Sequence, residues 1–236
     1  MLKVKFADVV VGIQNKYSFI ERQCKNYLAN VDCKPDLVLT VSNEEIESEV
    51  AVNPFGISKE VAESLCIYRA LSKELSLFDA FLLHSSVIAK NNEGFVFLGK
   101  SGTGKSTHAD LWQQRFGKEV VFINDDKPII RKIGDTFFAY GTPYSGKRNL
   151  NNNRSVKVSA LYFLEQAEIN SIKRLGIEDA FTKLMTQIIL PKSVKEVEKV
   201  LGIFEEFLSS IPVYLLKCNI SLGAVDLAYT TFLEGK

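Results

Sequence analysis

Apolar positions along the chain fall into short blocks whose period switches at turn residues. Residues 2–13 read as a strand and residues 36–41 as another, on either side of a helix near 19–29. Ser42 with Glu45 three positions later has the spacing of a capping box and predicts a short acidic helix to about Val50. Asn53-Pro54-Phe55-Gly56 is a turn. From Ser58 onward Val61, Leu65, Tyr68 and Leu75 share one helical face, which Glu60, Glu63, Lys73 and Glu74 leave. Arg69 on this helix fits a solvated or ion-paired role better than a ligand contact.

Residues 80–89 are strand-like, Asn91-Asn92-Glu93-Gly94 is a turn, and Gly94 to Leu98 returns. The returning strand thus pairs antiparallel with its predecessor, unlike the corresponding strand of a doubly wound parallel sheet. Residues 120–123, 127–133 and 136–140 continue as short strands, with Gly134-Asp135 as a tight hairpin turn. After a polar loop, 158–164 is a strand, 177–189 and 195–208 are helix-like, 213–218 is a strand and 221–233 a closing helix. No repeat period appears. The pattern predicts an α/β fold with a mixed, antiparallel-rich sheet and flanking helices. It divides the chain into an N-terminal α/β subdomain over 1–78, either separate or part of the same domain as the rest, and a second domain over 79–236.

One loop carries the chemistry. Gly99-Lys100-Ser101-Gly102-Thr103-Gly104-Lys105-Ser106 matches G-x-x-x-x-G-K-[ST], sits between the apolar stretch 95–98 and a helix-like stretch from Thr107 to Phe116, and so has the context of a phosphate-binding loop. Its glycines let successive backbone N–H groups face an anion, and the following helix adds its positive end. Lys105 would reach the β- and γ-phosphates and the Ser106 hydroxyl would ligate Mg²⁺. A nucleoside triphosphate is the expected ligand.

Further candidates surround that loop in sequence. Asn124-Asp125-Asp126-Lys127 ends the strand 120–123, where an acidic residue positions a metal or takes a proton from a nucleophile. Adjacent carboxylates on an extended backbone point to opposite sides, so Asp125 and Asp126 can do different jobs; a plain turn is the competing reading. His84 lies in the strand that feeds the hairpin, beside the phosphates or else as a packed histidine. His108, one turn past Lys105, fits packing better than nucleotide contact. Gly141 to Arg148 forms a second Gly/Pro/Lys loop in which Lys147 and Arg148 could clamp an anionic substrate. Residues 149–154, with four asparagines, read as a mobile lid or an ordinary surface loop.

Composition removes several classes. A net charge of +1 with both signs interspersed leaves no footprint for nucleic acid. The apolar runs are too short to span a bilayer, and the N-terminus lacks the apolar core of a secretory signal. Cys24, Cys33, Cys66 and Cys218 form no C-x-x-C pair and read as reduced thiols, so a cytoplasmic protein is expected. At 46% hydrophobic and 24% charged residues, 236 residues are enough for a full core.

Taken in order, His84, the loop Gly99 to Ser106 and the pair Asp125-Asp126 resemble the HPr kinase/phosphorylase catalytic domain and its shorter stand-alone relatives, within the wider fold group that includes phosphoenolpyruvate carboxykinase. The resemblance covers roughly residues 80–135. It implies a phosphoenolpyruvate carboxykinase-like and HPr-kinase-like mixed sheet with a phosphate loop. It also implies ATP and Mg²⁺ as cofactors, with Lys105 and the loop residues Gly99 to Thr107 on the phosphates and Ser106 and Asp125 toward the metal. Asp126 would be the proton acceptor, supported by His84 and Asp125. No counterpart of the I-R-G-x-G segment of the bifunctional enzymes is present, and the first 80 residues do not resemble their N-terminal domain. The expected activity is transfer of the γ-phosphoryl group to a hydroxyl on a peptide, protein or small molecule. A non-catalytic nucleotide-binding regulatory or peptide-carrier module is the alternative, a small carboxykinase-like lyase a third. Homo-oligomerisation stays open.

Overall fold

A computed structural model describes residues 1–191 and 193–235. It begins with β1 (Leu2–Phe6) and β2 (Val9–Gln14), an antiparallel pair closed by Ala7-Asp8. Both turn residues have positive φ, 48° and 61°, as a tight hairpin matched to strand twist requires. The single strand expected over 2–13 is therefore two, because the turn interrupts an otherwise continuous apolar run and alanine gives no sign of a left-handed residue. α1 (Phe19–Gln23) and a 3-10 turn at Lys25–Tyr27 lead to β3 (Leu37–Thr40), which joins β2 in parallel.

The helix α2 (Asn43–Val52) starts on the expected capping box: Ser42 Oγ accepts from the Glu45 N–H at 3.1 Å, and the Glu45 carboxylate accepts from the Ser42 N–H at 2.8 Å. α3 (Lys59–Glu74) follows. It buries Ala62, Ile67 and Leu71, while Val61 and Leu65 are only half-buried. Glu63, expected on the outer face, is fully buried. Its carboxylate accepts the backbone N–H groups of Lys16 and Tyr17 at 2.5 and 3.1 Å; helical period cannot reveal a partner that distant in sequence. Arg69 makes a two-pronged ion pair with Glu49, the paired role foreseen for it.

The remaining strands are β4 (Ala80–Leu82), β5 (Ser85–Lys90), β6 (Glu93–Leu98), β7 (Val120–Asn124), β8 (Ile129–Ile133), β9 (Thr136–Tyr140), β10 (Ser155–Gln166), β11 (Ser171–Arg174) and β12 (Val213–Cys218). The helices are α4 (Lys105–Phe116), α5 (Ile177–Met185), α6 (Val194–Ser210) and α7 (Leu222–Glu234). The strands run in the order β4-β8-β9-β10-β6-β5-β7, and β12 joins β10 with β11 on its far side. The strand expected over 80–89 thus breaks at Leu83-His84: β4 pairs with β8, while β5 lies between β6 and β7. Two linking residues span only about 7 Å. They connect strands near opposite ends of that path, so the sheet has to curl. Pairing is mixed, with β10 parallel to both β6 and β12 and the other pairs antiparallel. The short, largely exposed β11 has no apolar pattern that would announce it.

Helices α5 and α6 cover one face of this sheet through Phe204, Phe207 and Leu184 against Phe81, Val96 and Phe163. The other face carries α4 and α7, where Trp112 packs on Phe95 at a ring distance of 4.6 Å. Losing such a ring costs on the order of 3–5 kcal/mol, so α4, and the loop before it, has a firm seat. A third core joins Val4, Phe6 and Ile20 to Ile67, Leu82, Ile129 and Tyr144, which packs residues 1–75 against the curled sheet. Among the described residues no helix is long and apolar enough to cross a membrane. The cysteines are free thiols.

Candidate active site

Strand β6 ends at Leu98, and the chain turns through Gly99 to Gly104 before α4 begins at Lys105. Gly104, the residue that caps α4, has φ 103°, a left-handed conformation that costs a residue with a Cβ about 1–2 kcal/mol. The Lys105 side chain folds back over the loop, and its Nζ donates to Gly99 O at 2.8 Å and to Lys100 O at 3.4 Å. Thr103 Oγ1 also donates to Lys100 O, at 2.7 Å. Burial pulls Lys105 below the ordinary lysine value, although Asp126 and Asp125 work in the other direction. A partly desolvated cation at the positive end of a helix is poised for an anionic partner.

The facing wall is built around the turn after β7. Asn124 is fully buried and its Oδ1 accepts the N–H groups of Asp126 and Lys127 at 2.9 and 2.7 Å. Its Nδ2 donates to Thr142 O at 2.9 Å. This is a side-chain-braced turn, not the extended backbone expected for the two aspartates, yet their carboxylates do part. Asp125 is buried; its Oδ1 accepts from Ser86 Oγ at 2.8 Å, and Arg148 Nε lies 3.5 Å from its Oδ2. Burial raises its carboxyl above the usual range, against the pull of Ser86, Arg148 and a hydrogen bond from Ser106. Asp126 is more open: His84 Nε2 stands 3.2 Å and Lys127 Nζ 2.7 Å from its Oδ1. Burial pushes its carboxyl up, but the His84 hydrogen bond and the Lys127 charge outweigh that and hold it below the usual range. Adjacent acids are thereby driven apart in basicity.

These groups share a cavity of about 480 Å³, lined by Ser101, Gly102, Gly104 to Thr107, Asp125, Asp126, His84 and the second loop from Ser145 to Arg148. Gly99, Lys100 and Thr103 border a neighbouring cavity of about 660 Å³ on the α5 side. Arg148 reaches across the opening, pairing with Asp110 and donating to Ser106 O at 3.2 Å as well as facing Asp125. Lys147 also lines the smaller cavity. His108 does not reach it. That residue is buried under α4, where its Nε2 accepts from Trp112 Nε1 at 3.1 Å, and burial lowers its pKa to about 4.

Residues 149–154 are stitched down and form no lid. Asn151 Nδ2 donates to Ser145 Oγ at 2.8 Å, Tyr27 OH donates to Asn151 Oδ1 at 2.8 Å, and Asn153 Nδ2 donates to Asn26 O at 2.8 Å. Leu150 O and the Asn152 N–H bond to the backbone of Asp125 and Ile123. Asparagine composition suggested mobility, whereas long-range partners make the loop a brace. Sequence reasoning assigned no role to Ser86, Asn124 or Lys127. Ser86 sits two positions past His84, and strand alternation alone would have placed both toward one side.

Among the described residues no group of three His, Cys, Asp or Glu side chains could hold a metal by itself. A Mg²⁺ ion that arrives with a nucleotide needs less, since one or two protein oxygens complete a shell of phosphate and water. The Ser106 hydroxyl and the Asp125 carboxylate, which face each other, fit that requirement.

No family model matches the chain, and no curated protein does. Among solved structures it is similar to the Hpr(Ser) kinase/phosphatase from Coxiella burnetii, with a TM-score of 0.37 and 12% identity over 65% of this chain and 97% of that chain. A likeness that distant bears on no residue's role.

Proposed function

We propose that this protein is an ATP- and Mg²⁺-dependent kinase that transfers the γ-phosphoryl group to a hydroxyl acceptor. One observation carries the reading: Ser101, Gly102 and Gly104 to Thr107 line one side of a single cavity and Asp125-Asp126 the other, with the cation of Lys105 on one side and an ionised, half-buried carboxylate on the other. Incoming β- and γ-phosphates take the place of the Gly99 and Lys100 carbonyls as partners of Lys105. The backbone N–H groups at the start of α4 add their share of the charge stabilisation. Ser106 and Asp125 would hold the metal, which when bound neutralises phosphate charge. Lys147 and Arg148 sit at the rim, where they can steady the transferred group.

Asp126 is the group that orients the acceptor. Its carboxylate takes the hydroxyl proton as the acceptor oxygen bonds to the γ-phosphorus and the bond to the β-γ bridging oxygen breaks, releasing ADP. His84 and Lys127 fix the carboxylate and keep it ionised at neutral pH. Asp126→Asn keeps the shape and the hydrogen-bond acceptor and removes the base. It is expected to lower turnover about 10²- to 10⁴-fold with nucleotide affinity unchanged, measured by steady-state kinetics beside calorimetry. Unchanged turnover would overturn the assignment. Nucleotide binding with no transfer to any hydroxyl, in the wild type, would favour a binding module.

A further inference from the structure

Asp126 borders a second cavity as well. On its other side lies a space of about 510 Å³ between α1, α3 and the loop 143–149, within the size range of small-molecule sites. We infer that this cavity is the acceptor site of the proposed kinase, and that the acceptor is a small hydroxy acid with an apolar, ring-sized body. The inference rests on the phosphoryl-transfer reading for its chemistry, and on the following observations for its place and its ligand.

The apolar stripe of α3 is the first. Val61 and Leu65 were expected to be packed, yet core positions go to Ala62, Ile67 and Leu71, and the Val61-Leu65-Tyr68 edge faces this space. Phe19 and Pro143 supply facing walls. The Tyr68 hydroxyl is the second. The residue is 9% exposed, stands close enough to Asp126 to feel its charge, and has no hydrogen-bond partner among the described residues. A polar group on a ligand in this cavity would give that hydroxyl a partner.

Charge selects the rest. Lys127 is committed to Asp126 at 2.7 Å. Among the described residues Arg22 is held by Ser18 Oγ at 2.7 Å and loosely by Glu60 at 3.9 Å, and it keeps an exposed guanidinium at the cavity edge. Beyond the Lys127–Asp126 pair the lining therefore carries positive charge and no further carboxylate. A ligand whose hydroxyl meets Asp126 and whose carboxylate meets Arg22 complements both ends, with its apolar body against Leu65 and Phe19.

The test offers the full-length protein [γ-³²P]ATP, Mg²⁺ and 3-phenyllactate, 4-hydroxyphenylacetate or 2-hydroxyisocaproate, each beside its counterpart lacking the carboxylate. A second arm offers a serine- and threonine-containing peptide library. Label is expected on the hydroxy acids in preference to the neutral counterparts and the peptides. Leu65→Trp, which fills the cavity, should raise the acceptor KM at least about tenfold. Arg22→Gln, a surface change that leaves the fold alone, should raise it about tenfold for the acids and not for the neutral compounds. Efficient labelling of peptides alone, or acceptor kinetics indifferent to both variants, would overturn the acceptor site while leaving the kinase reading in place. If nothing is labelled, calorimetric binding of the hydroxy acids decides. Binding weakened by Leu65→Trp and Arg22→Gln sustains the cavity as a ligand site without the kinase; no binding overturns it.

Discussion

One wall of the cavity comes from a single short stretch of chain, Ser101 to Thr107 without Thr103, whereas the facing wall draws on separate stretches: His84 to Ser86, Asn124 to Lys127 and Ser145 to Arg148, with Leu150 to Asn152 behind them. In the proposed reading the first wall works through backbone N–H groups and one lysine, and needs little more than the right glycines and a seated helix. The second works through side chains whose positions depend on bonds between residues far apart in the chain. A damaged brace behind the second wall should therefore cost turnover and stability together. Strain confined to the first should show in nucleotide binding.

Asn124 offers the hardest test of that contrast. Asn124→Ala removes the acceptor for two backbone N–H groups and the donor to Thr142 O inside a fully buried site. Unfolding by urea should show a loss of about 3–4 kcal/mol, and turnover should fall with it because Asp126 no longer has a fixed turn to sit on. A loss below about 1 kcal/mol would mean that the second wall holds itself, and the contrast would collapse.

Acid attacks the first wall from beneath. Unfolded histidine takes up a proton near pH 6.5, but buried His108 does so only near 4. Between those values the unfolded state binds more protons, so stability is present above pH 6.5 and is lost as the pH falls toward 4. The span corresponds to about 3 kcal/mol at most. His108→Gln should flatten that part of the urea-midpoint profile. Asp126, held below the usual carboxylate range, stays ionised over much of the same interval, so acidification loosens the seat of α4 before it discharges the base. A profile unchanged in His108→Gln would place the acid sensitivity elsewhere.

The same division explains what could be read from the chain. The strand–turn–helix passage from Leu98 through Gly104 to Lys105, the Ser42–Glu45 capping box and the Asn91-Asn92 hairpin are local, and each was legible because its residues lie within a few positions of one another. The β4/β5 break at Leu83-His84 was not, since it exists only because the sheet curls and sends β4 to β8. Glu63 read as a solvent residue because the Lys16 and Tyr17 N–H groups it satisfies lie more than forty positions away. Likewise the asparagines of 149–154 read as mobile until Tyr27, Asn26 and Asp125 are brought beside them. His84 and the two aspartates were identifiable as candidates by residue type. Their different environments, one carboxyl raised and one lowered, come from Ser86, Arg148 and Lys127, which only the folded chain assembles.

Two glycines give the finest measure of the contrast. Gly104 has φ 103° with nothing within 4 Å of where a Cβ would stand, so Gly104→Ala imposes backbone strain alone. Gly146 has φ 68°, and there a Cβ would stand 3.2 Å from the Asp126 Cβ and 3.4 Å from its Oδ2. Each alanine should cost about 1–2 kcal/mol of stability through its left-handed conformation. Their functional effects should separate. Gly104→Ala disturbs the N–H groups proposed to meet the phosphates and should weaken nucleotide binding several-fold. Gly146→Ala presses on the carboxylate and should lower turnover several-fold at unchanged nucleotide affinity. The pair is read by calorimetry with ATP beside steady-state rates. If both variants moved affinity and turnover in the same proportion, the two walls would be acting as one unit, and Asp126 could not be assigned a task separate from the phosphate loop.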